Sequence, residues 1–276
     1  MAMDHRVATY YTVSDLQGKI LEAARAAGVE PDRLDVSDLA AADEFHIGGR
    51  QATVDLLDQL APGPDMHLLD VGSGPGGASR FAADRYGCDV TGVDMTPEYV
   101  NLASDLAARM ALDGRVHYQV ADACELPFAP DAFDGAYMLH VGMNVGDKHG
   151  LCTEVARTVA PGGFFAVYDV MRVGDGDVGY PVPWADSDAI SFLASPEEYR
   201  GCLEAAGFEI TSVRSRREFA LEFFSQLQAR MAASGPPPLG LHLLMGESFP
   251  HKVGNMVDAL GRGVIAPVEM IASLPR

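Results

Sequence analysis

Leu68-Leu69-Asp70-Val71-Gly72-Ser73-Gly74-Pro75-Gly76-Gly77 is an apolar run that breaks into glycine and then leads into a helical stretch. The run reads as a strand. The glycines at 72, 74, 76 and 77 let the backbone turn sharply and approach a ligand without side-chain obstruction. The helix that follows offers unpaired N–H groups at its start. Nucleotide-binding folds of several classes share such a strand, turn and helix, NAD-binding ones included. The stretch therefore points to a fold type before it points to a ligand.

Outward from the turn, apolar runs recur at 67–71, 89–93, 116–120, 134–139 and 163–170, with helical stretches at 76–86, 97–111 and 147–159. This alternation predicts a parallel sheet with helices on both faces, wound by right-handed crossovers. Beyond 170 the rhythm breaks. Residues 174–188 read as a loop, 195–206 as a helix capped by Ser195 with Pro196 first, and 208–213 as a strand. A long helix at 218–233 runs into the Gly235-Pro236-Pro237-Pro238 break, and a helix near 250–260 precedes an apolar strand at 264–272 that returns to the sheet. Before the fold, 14–27 and 50–60 read as helices, joined by a polar connection at 31–42 with one short helix, and Pro62-Gly63-Pro64 stops the second. The prediction is an α/β, Rossmann-like, doubly wound, mostly parallel seven-stranded sheet. It carries an N-terminal helical lid (1–61) on a main domain (62–276), with a helical insertion at about 217–262 before the last strand.

A chain of 276 residues can bury one sizeable core. Its net charge of −19, from 20 basic and 39 acidic residues, repels phosphate backbones and anionic bilayers, so neither nucleic acid nor a membrane is an expected partner. The charge suits a cationic ligand, although solubility alone also accounts for it. Cys88, Cys124, Cys152 and Cys202 show no metal-binding spacing and read as reduced, mostly buried residues. No metal is expected. No signal segment and no apolar run of membrane-spanning length stands out, so a soluble cytoplasmic protein is expected.

Four features narrow the ligand. The strand 89–93 ends in Asp94, roughly 20 residues past the turn, where a carboxylate can accept both ribose hydroxyls. The alternative for Asp94 is a helix N-terminal charge, a job for which Thr96 is an equally good cap. The next strand ends in Ala121-Asp122-Ala123, where Asp122 can accept from an adenine amine. Leu126-Pro127-Phe128 and Phe133-Asp134 lead into the fourth strand, and Ala160-Pro161-Gly162-Gly163 turns a helix into the fifth.

Together these motifs, spread over 66 to about 210, resemble the class I S-adenosylmethionine-dependent methyltransferases. The nearest likeness is to the small-molecule enzymes around ubiquinone/menaquinone and sarcosine/dimethylglycine methylation. Asp43-Glu44-Phe45-His46-Ile47-Gly48-Gly49 and Met138-Leu139-His140-Val141-Gly142-Met143-Asn144-Val145 resemble the glycine-betaine-forming group. Tyr180-Pro181-Val182-Pro183-Trp184 resembles a related set of bacterial sequences. The resemblance implies S-adenosylmethionine as cofactor. The backbone of Gly72 and Gly74 would hold the methionine moiety, with Ser73 in the same site. Asp70 would orient the turn, Asp94 would bind the ribose, and Met95 would lie on the adenine. Asp122 and Ala123 would bond the adenine edge, and Leu139 and His140 would sit beside the reacting methyl.

Methyl transfer is an in-line displacement, so the protein must align a nucleophile behind the methyl at roughly 3 Å and exclude water. His140, just past strand four, is a candidate substrate contact or base, against a histidine that satisfies loop backbone. His46 is a second candidate, against a surface loop histidine. Arg50 could pair with a substrate or cofactor carboxylate, or simply start a helix. Tyr10 and Tyr11 precede the first helix as lid aromatics, with Tyr11 a substrate candidate. Trp184, the only tryptophan, could wall the acceptor or serve as scaffold. Residues 239–245, rich in leucine, read as a pocket cover, a homodimer contact or a packed helix pair. The leading expectation is N-methylation of a small amine or amino acid such as sarcosine or dimethylglycine. The alternatives are C- or O-methylation of a quinone-like or natural-product aromatic, and a non-catalytic cofactor-binding protein. No Asn-Pro-Pro-Tyr run follows strand four, which argues against a DNA amine methyltransferase.

Overall fold

The computed structural model describes residues 5–235 and 237–276. Pro236 of the proline break and residues 1–4 of the stretch inspected for a signal segment lie outside the described residues. In chain order the elements begin with α1 (His5–Tyr11), α2 (Leu16–Ala26), α3 (Ala40–Asp43) and α4 (Gly49–Leu60). The alternating part follows as β1 (His67–Val71), α5 (Gly77–Tyr86), β2 (Asp89–Asp94), α6 (Pro97–Arg109), β3 (Val116–Val120), β4 (Phe133–Leu139), α7 (Lys148–Thr158) and β5 (Val159–Arg172). The chain closes with α8 (Pro196–Ala205), β6 (Glu209–Ser215), α9 (Arg217–Ser234), α10 (His242–Met245), α11 (Phe249–Arg262) and β7 (Ile265–Ser273).

The seven strands lie in the order β3-β2-β1-β4-β5-β7-β6. The first five pair in parallel, and β7 inserts antiparallel between β5 and β6. Successive strand side chains face opposite ways. Leu69 and Met138 therefore join the layer of α7 and α8, with Leu151, Val155 and Leu203. Leu68 and Tyr137 join the layer of α4 and α5, with Leu56, Leu57 and Phe81. Burial on both faces explains why these strands are continuous apolar runs rather than alternating ones. Each such side chain contributes about 1.5–3 kcal/mol. At α8, Ser195 Oγ accepts from Glu198 N–H at 3.2 Å while Glu198 Oε2 accepts from Ser195 N–H at 2.6 Å, a capping box behind Pro196.

Two local readings need correction. Tyr10 and Tyr11 do not precede the first helix but end a helix of their own, α1. Seven residues are too few to show a period or to hold a helix alone. α1 persists by docking: Val7 is buried, and Tyr10 Oη donates to the Val182 and Pro183 carbonyls, both at 3.0 Å. Second, Pro161-Gly162-Gly163 is not a turn before β5 but lies inside it. The pairing with β4 shifts from Phe133↔Val159 to Gly135↔Phe164, and Gly162 takes φ 88° there. Among the described residues, no helix is long and apolar enough to cross a membrane.

Candidate active site

β1 pairs with β2 on one side and β4 on the other, so the winding reverses between β1 and β4. Ligands of doubly wound sheets bind at that reversal, beyond the strand carboxyl ends. The glycine turn after β1, Asp94 ending β2 and His140 after β4 all border one cavity there, of about 1120 Å³. Gly72 N–H and Ser73 N–H donate to the Val93 carbonyl at 2.8 and 2.9 Å, and Gly74 N–H donates to Asp94 Oδ2 at 2.9 Å. A Cβ on Gly72, at φ 73°, would lie 2.3 Å from Val141 Cγ2. A Cβ on Gly74, at φ 53°, would meet no atom within 4 Å, so this glycine borders open space.

Asp70 is buried behind the turn and accepts from Ser79 Oγ at 2.5 Å. Burial pushes its carboxyl up to about 7. It thus ties β1 to the start of α5, the orienting part of its expected role. Asp94 is less free than expected. Thr96 makes no side-chain cap, and Asp94 Oδ1 accepts from Thr96 N–H at 2.8 Å. The carboxylate therefore also serves the entrance of α6, the job assigned to Thr96. Met95, Ala123 and Leu139 border the cavity as anticipated. The Asp122 carboxylate turns to its own backbone, accepting from Cys124 N–H at 2.8 Å, while the wall runs through Ala121 and Ala123.

The second wall joins the lid to β4. His140 holds φ 55°, a left-handed conformation that costs a non-glycine residue about 1 kcal/mol or more. Its backbone N–H donates to the Tyr168 carbonyl at 2.7 Å, and its Nδ1 accepts from Ile47 N–H at 3.4 Å. Tyr168 Oη donates to the Ile47 carbonyl at 3.0 Å, so both sides of the Ile47 backbone are docked. Burial, then the neighbouring His46, holds the His140 imidazole well below its ordinary value and neutral at pH 7. With Nδ1 accepting, the proton sits on Nε2, which has no partner among the described residues.

His46 is buried rather than a surface histidine, its ring centroid 6.0 Å from that of His140. Its Nε2 faces the Gly49 carbonyl at 3.1 Å, Thr53 Oγ1 at 3.0 Å and Glu44 Oε2 at 3.4 Å. These contacts make it a brace of the 44–53 turn. Arg50, expected to be available to a ligand carboxylate, is committed elsewhere. Its Nε pairs with Glu44, its Nη2 donates to the Val36 carbonyl at 3.2 Å, and its guanidinium lies over the Phe81 ring.

Above the cleft, Tyr11 Oη donates to Asn144 Oδ1 at 2.8 Å. Asn144 Nδ2 donates to the Trp184 carbonyl at 2.9 Å. Trp184 is 1% exposed, and its indole N–H donates to Ser191 Oγ at 2.9 Å, so it is both cavity wall and fixed scaffold. The roof is apolar: Phe219, Phe223 and Leu227 of α9, Leu239, Met245 of α10 and Met256 of α11. Of the readings for residues 239–245, the pocket cover is the one met by Leu239, Leu241 and Met245.

Sequence reasoning missed several residues here. Glu44 and Asn144 stood inside quoted segments but gave no sign of being hubs. Arg80 gave none either. It is fully buried in α5, donating to Asp43 Oδ2 at 2.6 Å and to the Pro75 carbonyl of the glycine turn at 2.8 Å. Its burial would have read as a surface helix charge.

The methyltransferase domain family matches residues 69–167. An O-methyltransferase of Pyrenophora dematioidea is 26% identical over 173 residues, 61% of this chain and 63% of that one. The O-methyltransferase cnsE of Penicillium expansum is 30% identical over 178 residues, 62% of each. The chain thus spans just under two thirds of these two relatives. The solved geranyl diphosphate C-methyltransferase of Streptomyces coelicolor is 20% identical, covering 95% of this chain and 98% of its own at a TM-score of 0.67, a likeness of fold. The matched segment holds the glycine turn, Asp94 and His140, on the strand order and motif set described above. Residues 69–167 form a methyltransferase domain, and the strand order and motif set are those of the class I S-adenosylmethionine-dependent methyltransferase fold.

Proposed function

We propose that the chain methylates an oxygen or carbon of a sizeable apolar acceptor, rather than a small amine. One observation carries this reading: the cavity of about 1120 Å³, roofed by Phe219, Phe223, Leu227, Met245 and Met256. Small-molecule pockets run to roughly 300–1,000 Å³, so cofactor and a large acceptor fit together. Arg50, the cation beside the glycine turn, is already paired with Glu44, and the other arginine on the cavity, Arg230, is an exposed residue of α9. The names of the sequence relatives, both O-methyltransferases, support the same class.

The residues fit S-adenosylmethionine. The open face at Gly74 admits a ligand against the backbone, and the Asp94 carboxylate borders the same cavity beside it. When bound, the cofactor supplies an electrophilic methyl on sulfur. Gly72, Ser73 and Gly74 hold its methionine part, Asp94 its ribose, and Met95 and Ala123 its adenine. His140 faces the acceptor as a donor. Its Nε2–H holds the acceptor oxygen, and for a phenol it favours the phenolate whose proton has left to water. Tyr11, Trp184 and the α9–α11 roof exclude water from the reacting pair.

The test is methyl transfer from labelled cofactor across two sets of acceptors. Phenolic and prenylated aromatics should be methylated, and sarcosine and dimethylglycine should not. Met256→Trp should raise the acceptor KM at least about tenfold while leaving affinity for S-adenosylhomocysteine within twofold. Preferred turnover of the amines would overturn the acceptor class. Cofactor binding without turnover on any acceptor would replace the enzyme by a binding protein.

A further inference from the structure

Tyr99 stands in the first turn of α6, directly after the strand end that carries Asp94. It is 3% exposed and borders the cavity, yet its hydroxyl has no hydrogen-bond partner among the described residues. Its ring packs at 6.1 Å from that of Tyr11 on the lid and joins the cluster formed by Leu16, Ile20, Leu102 and Leu239. The ring is therefore fixed on three sides, by α2, α6 and the segment before α10. Burial, then the nearby Asp94 carboxylate, raises its phenol, so the group stays protonated and donates. Tyr118 is the contrast. Its hydroxyl is spent on the Gly76 carbonyl at 3.0 Å and so is a structural part of the turn.

A buried hydroxyl without a partner is costly to the fold, and a ligand that supplies an acceptor relieves that cost. We infer that the Tyr99 hydroxyl is a cofactor contact, donating to a ribose oxygen of S-adenosylmethionine. The inference rests on the family assignment, not on the identity of the acceptor. Asp94, partly engaged by Gly74 N–H and Thr96 N–H, then shares the ribose with a donor that the apo protein leaves unspent.

The test is Tyr99→Phe, read by calorimetric binding and thermal unfolding. S-adenosylhomocysteine and 5′-methylthioadenosine, which shares the nucleoside but lacks the amino-acid part, are the probes. Tyr99→Phe should leave the apo melting temperature unchanged or raise it, because an orphan hydroxyl is removed. Affinity for both probes should fall about threefold to tenfold, the worth of one hydrogen bond. Tyr118→Phe should do the reverse to the apo protein and lower its melting temperature. The inference is overturned if Tyr99→Phe binds both probes as the parent does, if the loss is confined to S-adenosylhomocysteine, or if the apo protein is destabilised. Failure of the parent protein to bind either probe would strike the family assignment instead.

Discussion

Asp43→Ala isolates the buried ion pair that joins the lid to the glycine turn. Asp43 and Arg80 side chains are 1% and 0% exposed and meet at 2.6 Å. Arg80 keeps three other contacts, with the Pro75 carbonyl at 2.8 Å, the Ala103 carbonyl at 3.4 Å and Tyr118 Oη at 3.5 Å, none of them charged. Removing Asp43 therefore strands a guanidinium in the interior. Breaking a buried pair by deleting one partner costs about 3–5 kcal/mol. For a chain of this size each kcal/mol shifts the midpoint by about 2–4 °C, so a fall of roughly 10 °C is expected. Asp43→Ala with Arg80→Met removes both charges, and should recover most of the loss, since an apolar pair often replaces an ionic one at little cost. Urea and thermal unfolding of the parent, both single variants and the double give the coupling directly. A shift below about 2 °C for Asp43→Ala, or a double variant at the sum of the singles, would refute the claim that this pair fastens the lid.

Two further outcomes follow from the turn and the second wall. Gly72→Ala drives a Cβ to 2.3 Å from Val141 at positive φ and should destabilise the fold by about 2 kcal/mol or more. Gly74→Ala meets no protein atom, so it should spare more of the stability while abolishing S-adenosylhomocysteine binding; equal stability losses with binding intact in both would contradict the cradle. His140 sits below its ordinary value by burial, so the unfolded chain binds a proton that the folded one refuses as pH falls below 6.5. Stability from a neutral His140 is complete above that pH and declines beneath it. Asp70 and Asp169, raised by burial to about 7, slope the other way, so the effect is read as parent minus His140→Gln. That difference should shrink by about 1.4 kcal/mol per pH unit below 6.5, and parallel curves would remove the neutral buried imidazole.

How far the sequence reached follows from which forces are local. The parallel strands carry their signal in consecutive residues, because burial on both faces demands unbroken apolar runs, and the capping box of α8 is written within Ser195 to Glu198. The glycine turn was equally legible, because positive φ at 72 and 74 asks for glycine whatever surrounds it. Arg80, Asn144 and Tyr99 were not. Each looks like an ordinary helix or loop residue, and its meaning comes from partners far along the chain: Asp43, Tyr11 and the cleft beside Asp94. The wall of the cavity is the extreme case. Val7, His46, Met143, Trp184, Phe223 and Met256 come from six separate segments, and α9 shows no clean apolar stripe because part of its apolar surface faces a cavity instead of a core. A helix that lines a ligand space need not satisfy the packing period of its fold. The helix itself was legible at 218–233, but its place over the cavity was not, because Phe219, Phe223 and Leu227 answer to a ligand space that only the folded chain defines.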